Sequence, residues 1–503
     1  MELGVPRPFG VDLATAFRRA SDADLARPAA FAVLAAVFFA VRVPFLGYGH
    51  GTDPDAWRVA MTAHHLLETG DYFPSRLPGN PLHEFVTVLF IPGGWVATNL
   101  ATAAVSLAGV YVFAAILRRL EVPNRALALI GFAFAPLLLI NSIATMDYMW
   151  ALTAILGAYY AMLLRKPVLA GALLGVAIGM RLQSGVLWLP MVYLLWRESR
   201  LRDAAPLTLA AAGVTLVAYA PVLVVYGPEL LNFYDAAVSY TDVLRLLGKE
   251  ALGIIGGVGV LVGALFSLRT LRGLPRDLRT DPQVGFWAGV IVLYFVSFTR
   301  LPHEIAYLIP VFPFGLLIMA RYFTRLALVG SVAAILLAGV IDVTTPADDL
   351  TLGSLRDATL GKGLILSNAE TMTNQRKFVQ QVMAADIPDR SVVMTGFIFP
   401  QLAVRERDRL EARILRRDYS GISMLSDRGE AVDEGRDIRY VWLVNRDTFA
   451  ALQSQGYGIF MVPDAATSIA ALYDYRPGVL GARFLRLDQE SPSIGKGTGS
   501  TDR

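Results

Sequence analysis

The chain has 503 residues, of which 55% are apolar and 17% charged, with a mean hydropathy of +0.50 and a formal net charge of +3. Soluble domains carry about 25% charged residues, so an ordinary soluble enzyme is excluded, and the near-neutral charge excludes a nucleic-acid partner. The absence of cysteine removes disulfides, thiolate catalysis and cysteine-ligated metals.

Residues 1–28 are polar and basic, without a cleavable signal, and read as a cytoplasmic tail. Apolar runs of spanning length follow at 29–46, 97–117, 126–144, 148–164, 206–226, 251–268, 284–299, 305–320 and 326–343. A further run, 167–196, carries Arg181 at its middle and basic residues at both ends, the pattern of a helical hairpin with Arg181 near its far turn. The expected catalytic domain is therefore 29–343, with nine to eleven spans. Residues 1–343 hold 46 charged side chains, or 13%, whereas residues 344–503 hold 41, or 26%. The second part reads as soluble.

Positive charge orients this threading. With the N-terminus inside, 18 of the 25 basic residues of 1–343 fall in cytoplasmic segments. The opposite loops (48–96, 145–147, 227–250, 300–304) hold five basic and eleven acidic residues. That orientation sends 344–490 to the periplasmic or extracellular side of the cell (inner or plasma) membrane. Strand-like runs at Gly363–Leu366, Ser391–Thr395, Arg439–Val444 and Gly458–Val462 alternate with helical spacing near 370–385, 402–416, 446–455 and 465–474. This predicts a small α/β domain. The Gly/Ser-rich tail 491–503 reads as disordered.

Polar residues gather at the outer ends of these spans. The first outer loop, 48–96, contains Asp53-Pro54-Asp55, four of the five histidines, and Arg76, His83 and Glu84. Asp55 reads either as a helix cap or as a free carboxylate, able to act as a general base for an acceptor hydroxyl. Asp147 occupies a short outer turn, and Arg300, His303, Glu304 and Tyr307 surround another. Arg181, an arginine within an apolar stretch, reads either as the ion-pair partner of an acid such as Asp147 or as a phosphate ligand. His64 and His65, being adjacent, cannot face one ligand on a helix.

On these features the chain resembles the GT-C superfamily of integral-membrane glycosyltransferases, which includes protein O-mannosyltransferases and lipid A aminoarabinose transferases. The resemblance rests on Asp53-Pro-Asp55, on Tyr72-Phe-Pro-Ser-Arg76-x-Pro-Gly-Asn-Pro-Leu-His83-Glu84-Phe, on Gly171-x3-Gly175-x3-Gly179-Met-Arg181, and on His303-Glu304-Ile-Ala-Tyr307-Leu-Ile-Pro310. It implies a multi-spanning α-helical fold with a C-terminal extracytoplasmic α/β domain. It also implies transfer of sugar, with inversion, from a polyprenyl-phosphate donor to a lipid, glycan or protein acceptor. Asp53 or Asp55 would be the catalytic acid-loop residue. Asp147, Arg181, His83, Glu84, Arg76, His303, Glu304, Arg300 and Tyr307 would contact substrate. No cofactor is required on this reading, although a divalent cation held by Asp53, Asp55 and Asp147 is an option some relatives use. Residues 344–503 lack a WWD-type motif, which argues against oligosaccharyl transfer to asparagine. The alternative class is a transporter or flippase for a lipid-linked sugar, against which the single interrupted stretch and the one-sided polar layer argue.

Overall fold

The computed structural model describes residues 13–227, 243, 245–300, 302, 304–345, 356–413, 429–444, 446–463, 465 and 482–485. His303, the tail 491–503 and most of the helix expected over 465–474 lie outside the described residues.

The spans are less continuous than hydropathy alone suggests. Among the described residues, four helices are long and apolar enough to cross a membrane: Pro28–Phe45, Ile91–Arg119, Leu201–Tyr226 and Pro282–Thr299. Ile254–Phe266 joins Leu268–Thr280 across a 71° bend as a candidate fifth. The other apolar helices described have 10–17 residues. The physical reason is proline. The run 126–144 divides into Arg125–Phe134 and Pro136–Asn141, because Pro136 has no N–H to donate back to the preceding turn. Helices also open on Pro28, Pro54, Pro81, Pro167 and Pro282, where the missing N–H costs nothing. The run 326–343 ends early too: its helix stops at Leu337 and Ile341–Thr344 is a strand.

The 167–196 stretch folds as Pro167–Met180, an extended Arg181, a 3-10 turn over Leu182–Leu187, and Trp188–Arg197. Its glycine stripe lets it press against Ala204–Tyr226. A Cβ at Gly171 would lie 2.1 Å from the Leu207 carbonyl, and one at Gly175 would lie 2.6 Å from the Val214 Cβ. Gly179 admits both Ala218 and Leu82. This small-residue packing fixes the height at which the helix ends, and hence where Arg181 sits. On the outward face of Ala204–Tyr226, Leu209, Leu216, Val217 and Val224 stand exposed, as a lipid-facing surface requires.

The C-terminal part begins with an antiparallel ribbon of β1 (Ile341–Thr344) and β2 (Thr359–Lys362). Gly363–Leu366, expected as a strand, instead leads into the helix Leu364–Ala384. Four apolar residues do not separate a strand from the first turn of an amphipathic helix. A six-stranded mixed sheet follows, from β3 (Ser391–Met394), β4 (Glu411–Arg413), β5 (Glu430–Asp433), β6 (Ile438–Val441), β7 (Gly458–Met461) and β8 (Arg483–Phe484). Their order is β4-β5-β6-β3-β7-β8. β3 runs parallel to β6 and β7, which flank it. The helix expected over 402–416 spans only Phe399–Arg405, and Glu411–Arg413 has turned into β4.

The core of this sheet domain is not its own alone. Trp57, Ala60, Met61 and Ala63 of the helix Pro54–Thr69 pack with Phe399, Leu402, Tyr440 and Trp442 in one buried cluster. Arg405 seals the edge: its guanidinium lies 4.6 Å from the Trp57 ring centroid and 5.2 Å from that of Trp95, and it donates to the Tyr48 carbonyl at 2.9 Å. Arg405→Ala is expected to loosen this seam by about 1–2 kcal/mol. Limited proteolysis in lipid would then release the sheet domain sooner while the membrane part stays whole; unchanged digestion would contradict the role.

Candidate active site

The helix Pro54–Thr69 starts at Asp53, whose Oδ1 accepts the Asp55 amide at 2.8 Å. The N-cap is thus Asp53 rather than Asp55. Asp55, in the first turn, is not a free carboxylate either. It pairs with Arg58 at 2.7 Å and with Arg76 at 3.0 Å. Burial, and next the Asp55 carboxylate, push the half-buried Asp53 carboxyl up to about 6.

Arg76 reaches onward to Asp147, 3.4 Å away, and Asp147 pairs with Arg181 at 2.7 Å. Asp147 is fully buried at the head of Tyr148–Leu163. The ion-pair reading of Arg181 therefore holds, and its partner is Asp147. The guanidinium of Arg181 also lies against two rings, 4.2 Å from the Tyr148 centroid and 4.5 Å from that of Tyr307. Its Nε is buried without a hydrogen-bond partner among the described residues. Below it a cavity is lined by Tyr148, Arg181, Gln183, Ser184, Tyr294 and Tyr307. One continuous row results: Asp55, Arg76, Asp147, Arg181, with Asp53 beside its first member.

The other expected residues divide. Glu304 caps the 3-10 turn Ile305–Leu308; burial, and next the Asp53 carboxylate, hold its carboxyl well above the usual range. His83 is buried, with its ring 5.8 Å from Trp150 and its Nδ1 without a partner among the described residues; burial pulls it down to about 4, so it is neutral. Glu84 is fully buried, and its carboxylate accepts from the Tyr72 hydroxyl and from the Ser75 amide and hydroxyl. Its two oxygens thus accept three hydrogen bonds from within the chain. His64 stands apart, against Arg407 of the sheet domain. Arg300 ends the helix Pro282–Arg300. Among the described residues no three His, Asp or Glu side chains converge as a cation site.

Several supporting residues have no motif. His50 contacts Thr145 Oγ1 at 2.8 Å, Thr98 Oγ1 lies 2.7 Å from the same atom, and Thr145 donates to Asn99 at 3.1 Å. Asn99 in turn donates to the Gly49 carbonyl at 2.8 Å. This cluster ties the segment before Asp53 to the turn before Asp147. The signal that exposes it is the polar trio Thr98, Asn99 and Thr102 within an otherwise apolar span. Arg42 is a second buried arginine, donating to Ser142 Oγ and to the carbonyls of Phe38 and Ala133 beside the Pro136 break.

No protein-family model matches the sequence, and no curated protein matches it. Solved structures do. ArnT from Cupriavidus metallidurans in the apo state aligns over 88% of this chain and 94% of its own, with 16% identity and a TM-score of 0.52. ArnT from the same organism bound to undecaprenyl phosphate aligns over 90% and 96%, with 17% identity and a TM-score of 0.51. The chain has the GT-C fold. The likeness spans membrane helices and sheet domain together, so the GT-C fold here includes the C-terminal sheet. One end of the charged row meets that sheet: Arg58, which pairs with Asp55, stacks 4.2 Å from the Trp442 ring.

Proposed function

We propose that this protein is a membrane glycosyltransferase that moves a sugar, with inversion, from a polyprenyl-phosphate donor to a lipid, glycan or protein acceptor. The observation that carries the reading is the ion-paired row Asp55–Arg76–Asp147–Arg181, half-buried but for the fully buried Asp147, with Asp53 alongside. A cationic pair held by carboxylates suits a phosphate leaving group, and a carboxyl raised toward neutrality suits a base. The ArnT crystal structure containing undecaprenyl phosphate supports a donor of that class.

On this reading Arg181 and Arg76 hold the donor phosphate, with the Arg181 Nε available to it. The acceptor hydroxyl attacks the anomeric carbon from the face opposite the phosphate, and the bond from that carbon to the phosphate oxygen breaks. The two guanidinium groups stabilise the charge that develops on the departing polyprenyl phosphate. Asp53 takes the acceptor proton. Tyr148 and Tyr307 hold Arg181 in place, and Glu304, His83, His303 and Arg300 remain candidate substrate contacts.

The site is assigned to the extracytoplasmic face. Contacts gather basic residues at other helix ends: Arg325 with Asp22 and Asn124, Arg321 with Asp281, and Arg197 with the Arg279 carbonyl. A basic end is the cytoplasmic one.

The test is donor consumption. Purified protein in lipid is given radiolabelled polyprenyl-phosphate sugars and an envelope acceptor fraction, beside an Asp53→Asn/Asp55→Asn variant. Transfer by the first and not the second supports the reading; transport of donor across the bilayer without transfer would replace it with a flippase. On this reading the two arginines hold the phosphate by charge-assisted hydrogen bonds without a divalent cation, and EDTA is expected to leave the rate unchanged. Loss of transfer in EDTA, restored by one divalent ion, would move that charge stabilisation to a metal.

A further inference from the structure

We infer that Glu84 is the positioning residue for Arg76, acting through a clamp on the segment 72–75 and touching no substrate itself. The inference rests on the transferase reading and assigns Glu84 a role different from ligand contact.

Arg76 must span two carboxylates on different elements, Asp55 at 3.0 Å and Asp147 at 3.4 Å. It does so from a connecting segment between the helices Pro54–Thr69 and Pro81–Val88, where no helix or sheet fixes its backbone. A long side chain on an unfixed backbone pays rotamer and backbone entropy for each bridge it makes. Glu84 supplies the missing constraint. It sits in the first turn of Pro81–Val88, a helix packed against Pro167–Met180 through Leu82 and Gly179. Its Oε1 accepts both the amide, at 2.8 Å, and the hydroxyl of Ser75, the residue next to Arg76. Its Oε2 accepts the Tyr72 hydroxyl, and the Tyr72 ring stacks on Phe85 with centroids 4.8 Å apart.

Three donors converge on one fully buried carboxylate. That is an expensive arrangement unless every acceptor is used, and it is used here for anchoring alone. The anchor also shares its helix contact with the glycine stripe that sets Arg181, so both arginines of the row are referenced to one rigid pair of helices. Displacing Arg76 by even about 1 Å would cost about a hundredfold in rate, because the phosphate and both carboxylates must be met at once.

The test is a double-mutant cycle on the full-length protein in lipid. Glu84→Met removes both acceptor oxygens at similar volume, and Tyr72→Phe removes one of the three donors should Glu84→Met fail to fold. Each is combined with Arg76→Gln. Two quantities are read for every variant: undecaprenyl phosphate affinity, and transfer resolved into kcat and KM. Thermal unfolding accompanies them.

If Glu84 acts through Arg76, Glu84→Met and Tyr72→Phe lower kcat/KM about tenfold to a hundredfold when assayed below their unfolding temperatures. They then add nothing once Arg76 is Gln. Losses that multiply in the double variants, or full activity in a folded Glu84→Met, overturn the inference. Wild-type protein that binds undecaprenyl phosphate but transfers no sugar would remove the transferase reading, and the affinity cycle alone would then decide the positioning role. Binding by no variant, wild type included, would overturn both.

Discussion

Asp53→Asn is expected to lower the rate of transfer by about 10²- to 10⁴-fold, the range of a lost general base, while leaving the fold intact. The separation is possible because Asp53 has two tasks that need different chemistry. As the N-cap of Pro54–Thr69 it needs only an oxygen to accept the Asp55 amide, and asparagine caps as well as aspartate. As a base it needs a proton acceptor of suitable strength, which asparagine lacks. Its raised carboxyl, at about 6, gives the pH dependence a sign. A base works ionised, so kcat/KM should fall about tenfold per unit below that pH and level off above it. Asp55→Asn behaves differently: it breaks pairs with Arg58 and Arg76 and should weaken donor binding as well as turnover. Rate assays across pH, with unfolding temperatures for both variants, check this. Full activity in Asp53→Asn would move the base role to another carboxylate.

Arg181→Gln is expected to lose both donor binding and stability. Breaking a buried pair costs about 3–5 kcal/mol, and Asp147, fully buried, would be left with Arg76 alone. The informative variant is the pair Asp147→Asn/Arg181→Gln. With neither charge to desolvate, it should recover most of the lost stability. It should not recover undecaprenyl phosphate binding, because the guanidinium lining the cavity with Tyr148 and Tyr307 is gone and Arg76 alone remains to hold the phosphate. Unfolding curves and binding measured on the same samples decide between an arginine that serves Asp147 and one that serves a ligand. Binding restored in the pair would leave Arg181 a purely structural partner.

Particular residues show how far the chain can be read without coordinates. The glycines at 171, 175 and 179 are legible as a spaced motif and Arg181 as a charge within an apolar stretch, but their close contact with Ala204–Tyr226 is visible only in the fold. Asp53-Pro54-Asp55 announces a helix start, but either aspartate satisfies the pattern. The choice depends on Arg76, 21 residues further on, arriving to claim Asp55. Glu84 next to His83 looks like a ligand pair, yet Tyr72 and Ser75 fold back onto the glutamate and the histidine turns to Trp150. The strands Ser391–Met394, Ile438–Val441 and Gly458–Met461 are legible because each is a compact β-rich run. Gly363–Leu366 was not, being too short to show a period.

By itself, the sequence determined that this is an integral membrane protein of many helices with a sheet-bearing C-terminal part, and that its polar chemistry collects near helix ends. Those properties are sums over local segments: hydropathy, proline and glycine spacing, and charge asymmetry act within a few residues or one turn. The tertiary structure alone decided which acid meets which arginine, that helix breaks shorten the expected spans, and that Trp57 completes the core of a domain more than 300 residues away. Ion pairing and burial act through space over a few ångströms, between residues whose separation along the chain carries no trace of their contact.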